Sequence, residues 1–347
     1  GFVALIGATV TNEGTIRAHQ GDVVLAAAES VTLPTDLVKP QAPATANTVS
    51  VRMSRRVRLE LDPATVNTAV NNNGSGVIVT EGGQVLLQSA ALSSAVASVT
   101  QSGRIDTSAP QAGAVTMLAN HGVIKVDGNI TANSTGLDGQ GQANKGGDII
   151  IGRDDISGQL AASTDVRGAK LESQKGFVET SGDHLTTDGI SVKAAEWLLD
   201  PSDITISSST DSNVTGVSPA DITPNGGTGT SSIVQVNTIQ NAINAGTNVT
   251  IKTTNALNST GAGNITIANA LTFTNNTQNA TLKLEADNGI TLNSGAAITA
   301  SGTKLVNIEM TAKGNYQGNA AANANSDGIN IRSEERRVGK ECLRLCR

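Results

Sequence analysis

One stretch of the sequence decides the fold: Gly176-Phe-Val-Glu-Thr-Ser-Gly-Asp-His-Leu185 and, three residues later, Gly189-Ile-Ser-Val-Lys-Ala-Ala-Glu-Trp-Leu-Leu-Asp-Pro-Ser-Asp-Ile-Thr-Ile206. Three β-prone runs, Phe177-Val178, Ile190-Val192 and Ile204-Ile206, are separated by Gly, Asp and Pro turn residues. No helix of ordinary length fits between them. This rhythm predicts short strands that turn corners and stack coil upon coil.

The composition supports strands with a small-residue core. The chain has 347 residues and 37 glycines, but aromatic residues make up only 1% of it. The core must therefore be built from Val, Ile, Leu and Ala, which suit narrow stacked strands. No run approaches the ~18 apolar residues of a membrane-spanning helix, so we expect no membrane insertion.

The last 16 residues, Arg332 to Arg347, differ from the rest of the chain. They look like the conceptual translation of a sequencing-library adapter, and we set them aside as an artefact. The alternative is a natural basic tail. Without this segment's six basic and three acidic residues, the chain's 24 and 30 become 18 and 27, a net charge of −9. Both cysteines, Cys342 and Cys346, also belong to the segment.

The remaining body is acidic and free of cysteine, which bears on partners and compartment. Its charge would repel nucleic-acid phosphates, so nucleic acid is not an expected partner. Absence of thiols suits a protein exported through an oxidising periplasm. The chain begins with Gly and shows no signal peptide, so we expect a fragment truncated at both ends.

Two motifs carry a family resemblance. The segments Gly176-Phe-Val-Glu-Thr-Ser-Gly182 and Trp197-Leu-Leu-Asp-Pro-Ser-Asp-Ile-Thr-Ile206 resemble the filamentous-haemagglutinin-like exoproteins of bacterial two-partner secretion. Blocks at residues 1–27 and 61–87 are similar to the same family. Together these blocks cover most of residues 1 to 210.

The resemblance implies an internal fragment of a large secreted adhesin, displayed at the bacterial cell surface on the exterior of the outer membrane. It implies a right-handed parallel β-helix and a role in cell adhesion and virulence. An outer-membrane two-partner-secretion transporter would export the protein through a domain missing here. A host-cell receptor, a glycan or other bacteria would be the adhesive partner.

The residues themselves predict an all-β solenoid of this kind, with loop excursions and a few short helices. A Gly-x-Ile repeat marks a turn followed by an inward side chain, and parallel coils favour a right-handed crossover. The repeat begins at Gly14, Gly103, Gly122, Gly128, Gly147 and Gly263.

Four segments are expected along the chain. Residues 1–206 form a β-helix with a loop and helix excursion near 34–70, and residues 207–232 form a polar linker or bulge. Residues 233–331 continue the coils, and residues 332–347 are the adapter-like segment. The loops at 34–47, 133–147 and 207–232 are the expected places for receptor contact.

Two short helices are predicted inside this scheme. Asp62-Pro63 resembles an N-cap and a first helical residue, which predicts a helix to about Val70. Asn237 is expected to cap a second, two-turn helix closed by Gly246. The apolar face of that second helix would consist of Ile239, Ala242 and Ile243.

An arginine cluster has two interpretations. It invites binding of a polyanion such as a heparin-like glycan, but the preferred interpretation is a solvated strand face. The cluster consists of Arg52, Arg55, Arg56 and Arg58.

We expect no enzyme, no cofactor, and no catalytic, cofactor-binding or metal residues. His19, His121 and His184 are scattered beside turns and are interpreted as surface residues. Asp154-Asp155 after Arg153 is the best acidic pair, and only Asp165 with Arg167 lies about one coil away. Parallel β-helices host lyases and glycosidases that use carboxylates on one face. The alternative functions are therefore a β-helical polysaccharide lyase or glycosidase, or the stalk of a contact-dependent growth-inhibition toxin.

Ion and phosphate sites have weak sequence support. The calcium-binding Gly-Gly-x-Gly-x-Asp repeat is absent from the sequence. The Gly-rich run 136–141 lacks the following Lys of a phosphate loop.

Trp197 is expected to fill a widened coil.

Sequons for N-glycosylation are frequent, and chance in an Asn/Thr-rich chain is the default explanation. Some adhesins resembling this chain are nevertheless glycosylated at such sites. The sequons begin at Asn73, Asn129, Asn133, Asn213, Asn248, Asn258, Asn264, Asn275 and Asn279.

Overall fold

The computed structural model describes residues 1–32, 60–92, 94–119, 121–211, 231–253, 261–274, 277–314, 316–318, 322–323 and 329–333. Strands dominate these ranges. In chain order the elements are β1 (Phe2–Gly7), β2 (Thr9–Asn12), β3 (Thr15–Arg17), β4 (Asp22–Ala27), β5 (Ser30–Thr32), β6 (Glu60–Asp62), β7 (Thr68–Asn72), β8 (Val77–Val79), β9 (Val85–Ser89), β10 (Ala97–Gln101), β11 (Arg104–Asp106), β12 (Val115–Ala119), β13 (Val123–Val126), β14 (Asn129–Thr131), β15 (Ile149–Ile151), β16 (Ser163–Asp165), β17 (Lys170–Gly182), β18 (His184–Thr186), β19 (Ser191–Pro201), β20 (Ile204–Ser207), β21 (Ser232–Gln235), α1 (Val236–Asn244), β22 (Asn248–Thr253), β23 (Ile265–Ile267), β24 (Leu271–Phe273), β25 (Ala280–Ala286), β26 (Ile290–Leu292), β27 (Ile298–Ala300), β28 (Val306–Ala312), β29 (Tyr316–Gly318), β30 (Ala322–Asn323) and β31 (Ile329–Ser333).

The chain is a parallel β-helix, as the sequence predicts. Its largest sheet, here the main sheet, follows the order β1-β4-β9-β12-β15-β17-β19-β22-β25-β28-β31. Each strand on that path pairs in parallel with the equivalent strand of the next coil. A six-stranded sheet, β18-β16-β13-β10-β7-β2, forms a second face, and β3, β8, β11 and β14 form a third that joins the main sheet at β17.

Like side chains stack in ladders along the interior. One main-sheet ladder runs Val3, Val23, Val85, Val115, Ile149, Val178, Trp197, Val249, Leu282 and Ile308. A second, on the third face, runs Ile16, Ile78, Ile105, Ile130, Leu171 and Val192. The Gly-x-Ile prediction is confirmed, because the isoleucines of these repeats turn inward to the core.

The glycines of one corner are required by close approach between coils. A Cβ atom on Gly113 would lie 1.8 Å from the carbonyl oxygen of Gly83, and one on Gly83 would lie 1.9 Å from that of Gly21. Real side chains cannot occupy such positions, so only Gly lets the backbone turn and stack here.

A polar ladder also lies inside the β-helix. Asn12 Nδ2 donates to Asn72 Oδ1 at 2.7 Å, and Asn72 Nδ2 donates to Gln101 Oε1 at 2.7 Å. Gln101 Nε2 in turn donates to the carbonyl oxygen of Gly103 at 3.0 Å. All three side chains are buried, and this chain of bonds satisfies them.

The helix predicted from Asp62 to about Val70 is wrong. The chain instead forms β6, which pairs antiparallel with β5, and then β7. Side chains of β7 alternate with a period of two, with Thr68, Val70 and Asn72 buried. Pairing of β7 with β2 and β10 therefore overrides the local capping signal.

The second predicted helix is confirmed as α1, with a different start. Its buried face contains Thr238, Ile239, Ala242 and Ile243. Gln235 is the N-cap rather than Asn237, and no side chain caps the helix start. Gly246 follows the helix with φ of +90°, the left-handed conformation that terminates helices.

The excursions lie between strands and do not break the strand order of the main sheet. The Pro-rich loop at 34–47 and the arginine cluster lie outside the described residues. Of the 207–232 segment, Ser207 ends β20 and Ser232 begins β21, and these two strands pair in parallel. Of the adapter-like segment, Arg332 and Ser333 end β31, and the remainder lies outside the described ranges.

Candidate functional site

The acidic pair singled out from the sequence lies in a loop that follows β15, residues 152–160, here the Arg153 loop. An antiparallel bridge between Arg153 and Leu160 closes its base. Asp154 caps the loop's own turn, accepting from the Ile156 backbone N–H at 3.0 Å and from Ser157 Oγ at 2.7 Å. Asp154 is thus committed to holding the loop's shape.

Two further acids from successive coils face this loop. The registers of β15, β17 and β19 place Glu179 beside Ile150 and place Asp200 beside Ser181. Arg153 Nη1 donates to Asp200 Oδ2 at 2.6 Å. The ion pair spans 47 residues of sequence and ties the loop to a strand two coils further along.

Glu179 has an unusual environment. Its side chain is buried, and Ser181 Oγ donates to Oε1 at 2.8 Å. Burial raises the pKa of Glu179 to about 7, while the Ser181 hydrogen bond and Arg153 oppose the increase and Asp155 and Asp200 add to it. We call Arg153, Asp155, Glu179 and Asp200 the acidic cluster.

The acidic cluster has part of the chemistry of a carboxylate enzyme. Two carboxyl groups in unlike environments are what general acid–base catalysis uses. Glu179, however, is 5% exposed, the Asp200 side chain is 0% exposed and the Arg153 side chain is 24% exposed. With its carboxyl groups covered, the cluster can pin the Arg153 loop to the main sheet.

The second sequence-predicted pair forms a separate cluster on the six-stranded sheet. Arg167 clasps Asp165 through Nε to Oδ1 at 2.9 Å and Nη2 to Oδ2 at 2.6 Å. This hydrogen bonding raises the pKa of Arg167, whereas burial raises the pKa of Asp188. The structure therefore does not join Asp165 and Arg167 to the acidic cluster on one face, as a shared catalytic site would require.

The histidines are distributed as the sequence suggested, with one exception. His19 and His121 are exposed, and His19 pairs with Glu81 through Nδ1. His184 contradicts the surface interpretation, because its side chain is only 18% exposed and its Nε2 lies 3.1 Å from Asp211 Oδ2. Asp211 also accepts the backbone N–H of Ile233, so it links the two sides of the 207–232 excursion.

The described residues contain neither a metal-ligand cluster nor a membrane-spanning helix. No group of three His, Cys, Asp or Glu side chains within these ranges could hold a metal ion. In the same ranges, no helix combines the length and apolar character needed to cross a membrane.

No protein-family model matches this chain, and no curated protein matches it.

Sequence reasoning missed Glu179 and Asp200, although a signal for them exists. Both are charged residues within strands of mostly apolar and small residues, and they lie 21 residues apart, about one coil. A search for acids at coil spacing that included strand interiors would have found them.

Proposed function

We propose that this chain forms the rigid shaft of a secreted, surface-displayed adhesin. The observation that carries the proposal is the main sheet, which continues in parallel register from β1 to β31. A molecule built this way is extended by adding coils, and stability accumulates between neighbours. Such an architecture suits a protein that must hold binding loops away from a cell.

The loop at residues 133–147 is the best described candidate for presentation. An antiparallel bridge between Leu137 and Ala143 gives it a defined tip, where Leu137 is 66% exposed. Asn133 Nδ2 donates to Glu172 Oε1 at 2.9 Å, and Lys175 Nζ donates to the Ala143 carbonyl oxygen at 3.2 Å. A fixed base and an exposed apolar tip are useful for contact with a partner.

On this proposal, an outer-membrane two-partner-secretion transporter exports the protein to the bacterial surface. There it contacts a host-cell receptor or glycan, or another bacterium. The sequence resemblance supports this setting, and the β-helical fold agrees with it.

The experiment is adherence of beads coated with the full chain to cultured epithelial cells. We expect several-fold more adherent beads than with heat-unfolded chain, and a decrease with Leu137→Ser, which removes the exposed apolar side chain of the 133–147 loop. Ile156→Ser, in the Arg153 loop, is a matched control with an altered exposed apolar tip. Equal adherence of folded and unfolded coatings would overturn the proposal.

The acidic cluster supports one second candidate, a polysaccharide lyase or glycosidase. Glu179 and Asp200 are acids from successive coils, which is how β-helical enzymes assemble such sites. The test is turnover of polygalacturonate and hyaluronan by the full chain, with Glu179→Gln as the control. Turnover that disappears in Glu179→Gln would favour the enzyme, and no turnover by the wild-type chain would remove it.

A further inference from the structure

A groove of about 730 Å³ runs along the corner where the chain enters the main sheet. Four successive corners line it, those before β4, β9, β12 and β15. With coils spaced ~4.8 Å apart, the groove extends about 14 Å along the axis. The groove is open to solvent on one side.

The groove is lined by both apolar side chains and glutamine carboxamides. Ala109, Pro110 and Ala112 supply apolar surface, and Gln20, Gln84 and Gln111 supply carboxamides. Among the described residues, none of these three carboxamides has a hydrogen-bond partner. Each carboxamide can both donate and accept, as can the hydroxyl groups of a sugar.

The charges at the groove are already compensated. Glu81 pairs with Arg17 at 3.3 Å and with His19, and Lys145 pairs with Asp148 at 3.3 Å. A polyanion would meet two carboxylates here and only one lysine, which is itself paired. The lining therefore suits an uncharged ligand.

Backbone conformation adds an independent observation. Gln20 and Glu81 both have φ of +51°, in the left-handed region that non-Gly residues rarely adopt. Only four non-Gly residues in the described ranges have positive φ, and these two both line the groove. Strained residues of this kind cluster at ligand sites, where they hold a side chain in place.

An extended peptide fits the groove less well than a saccharide. Strand addition needs backbone N–H groups, but three of those along the groove are used within the β-helix. Gly83, Gly113 and Gly147 donate to the carbonyl oxygens of Thr80, Thr107 and Ala132. Recognition is thus left to side chains.

We propose that this groove binds a neutral saccharide. The glutamine carboxamides hydrogen-bond to its hydroxyl groups, and Ala109, Pro110 and Ala112 pack against the C–H face of its ring. The inference rests on the proposed adhesin function and specifies the ligand of one site on the shaft. Gln111 is the carboxamide nearest to the apolar segment in sequence and is the principal contact.

The test is saturation-transfer NMR on the full chain with maltotriose, cellotriose and chitotriose, and a heparin tetrasaccharide as the anionic control. We expect transfer to at least one neutral trisaccharide and none to the heparin fragment. Gln111→Ala should weaken binding about fivefold, the loss of one neutral hydrogen bond. Ala112→Phe, which fills the groove, should abolish it.

Gln278→Ala is the matched control, because it removes an exposed carboxamide outside the groove lining. Thermal unfolding of each variant checks that it folds. No transfer to any neutral trisaccharide, or transfer that survives both groove variants, would overturn the inference. Bead adherence without saccharide binding would defeat only the groove, and saccharide binding without adherence would defeat only the adhesin proposal.

Discussion

Trp197 has the largest of the fully buried side chains among the described residues, and it is 1% exposed. It lies in register between Val178 and Val249, and its Nε1 donates to Thr180 Oγ1 at 3.0 Å. Trp197→Ala should lower the free energy of unfolding by about 3–5 kcal/mol. Trp197→Phe keeps most of the ring and should cost less. Thermal and urea unfolding measure both, and an unchanged melting temperature for Trp197→Ala would contradict this placement.

Glu179 makes stability depend on pH. Burial raises its pKa from 4.5 to about 7, so the folded state holds the proton more tightly than the unfolded state does. Its stabilising contribution is therefore complete below about pH 4.5 and is lost as pH rises towards about 7. The full loss is on the order of 3 kcal/mol.

The measurement is the melting temperature of the wild-type chain minus that of Glu179→Gln, from pH 4 to pH 8. Glutamine keeps the acceptor for Ser181 but cannot ionise, so the difference isolates the carboxyl group. We expect the wild-type chain to lose stability relative to the variant across this window. A constant difference would show that Glu179 does not titrate there.

The polar ladder shows what residue-level patterns could not predict. Asn12, Asn72 and Gln101 lie 60 and 29 residues apart, and an Asn taken alone is unfavourable in a strand. Only the parallel register makes each satisfy the next. The inward isoleucines were predictable because their turn glycines precede them locally.

The stacked corners of the coils require glycine. Gly113→Ala would place Cβ 1.8 Å from the Gly83 carbonyl oxygen, a backbone atom that cannot move aside. We expect a loss of about 3 kcal/mol or more, at the upper end for overpacking. Gly139→Ala is the control, because nothing lies within 4 Å of its Cβ position. Equal melting temperatures for Gly113→Ala and Gly139→Ala would show that the corner has room for a Cβ atom.

The two predicted helices show where local signals suffice. For α1, the apolar residues recur at helical spacing and Gly246 ends the run, so sequence predicted the element and missed only its N-cap. For residues 62–70, one capping signal competed with the pairing of β7 on both sides. Long-range pairing cannot be read from a capping dipeptide.

The acidic cluster was only partly predictable, because local sequence signals identify some of its residues and long-range strand pairing brings in the others. Arg153 and Asp155 were found as a local group, but Glu179 and Asp200 joined them only through the registers of β15, β17 and β19. The burial that raises the pKa of Glu179 depends on tertiary packing, which composition does not reveal.

Across the whole molecule, long excursions leave the register of the main sheet intact. β4 pairs with β9 although residues 28–67 intervene before the next coil, and β19 pairs with β22 across the 207–232 segment. Loop-closure entropy grows only slowly with loop length, so such insertions are tolerated. A parallel β-helix with this property can vary its loops while keeping its core.

Because each coil contacts only its neighbours, destabilisation should remain local. Met117 in β12 is buried between Leu87 and Ile151, and Met117→Ala should cost about 2–5 kcal/mol. Hydrogen exchange should accelerate in β9, β12 and β15 and remain unchanged in β25 and β28. Mass spectrometry of exchanged peptides resolves these strands.

Met310→Ala in β28 supplies the reciprocal control, since Met310 is equally buried in the same sheet. It should accelerate exchange in β25 and β28 and leave β9 to β15 unchanged. Two opposite local patterns would establish that stability is summed from coil to coil, as a shaft of variable length requires. A uniform acceleration from either substitution would instead make the chain one cooperative unit, and the loops could then not vary independently of distant coils.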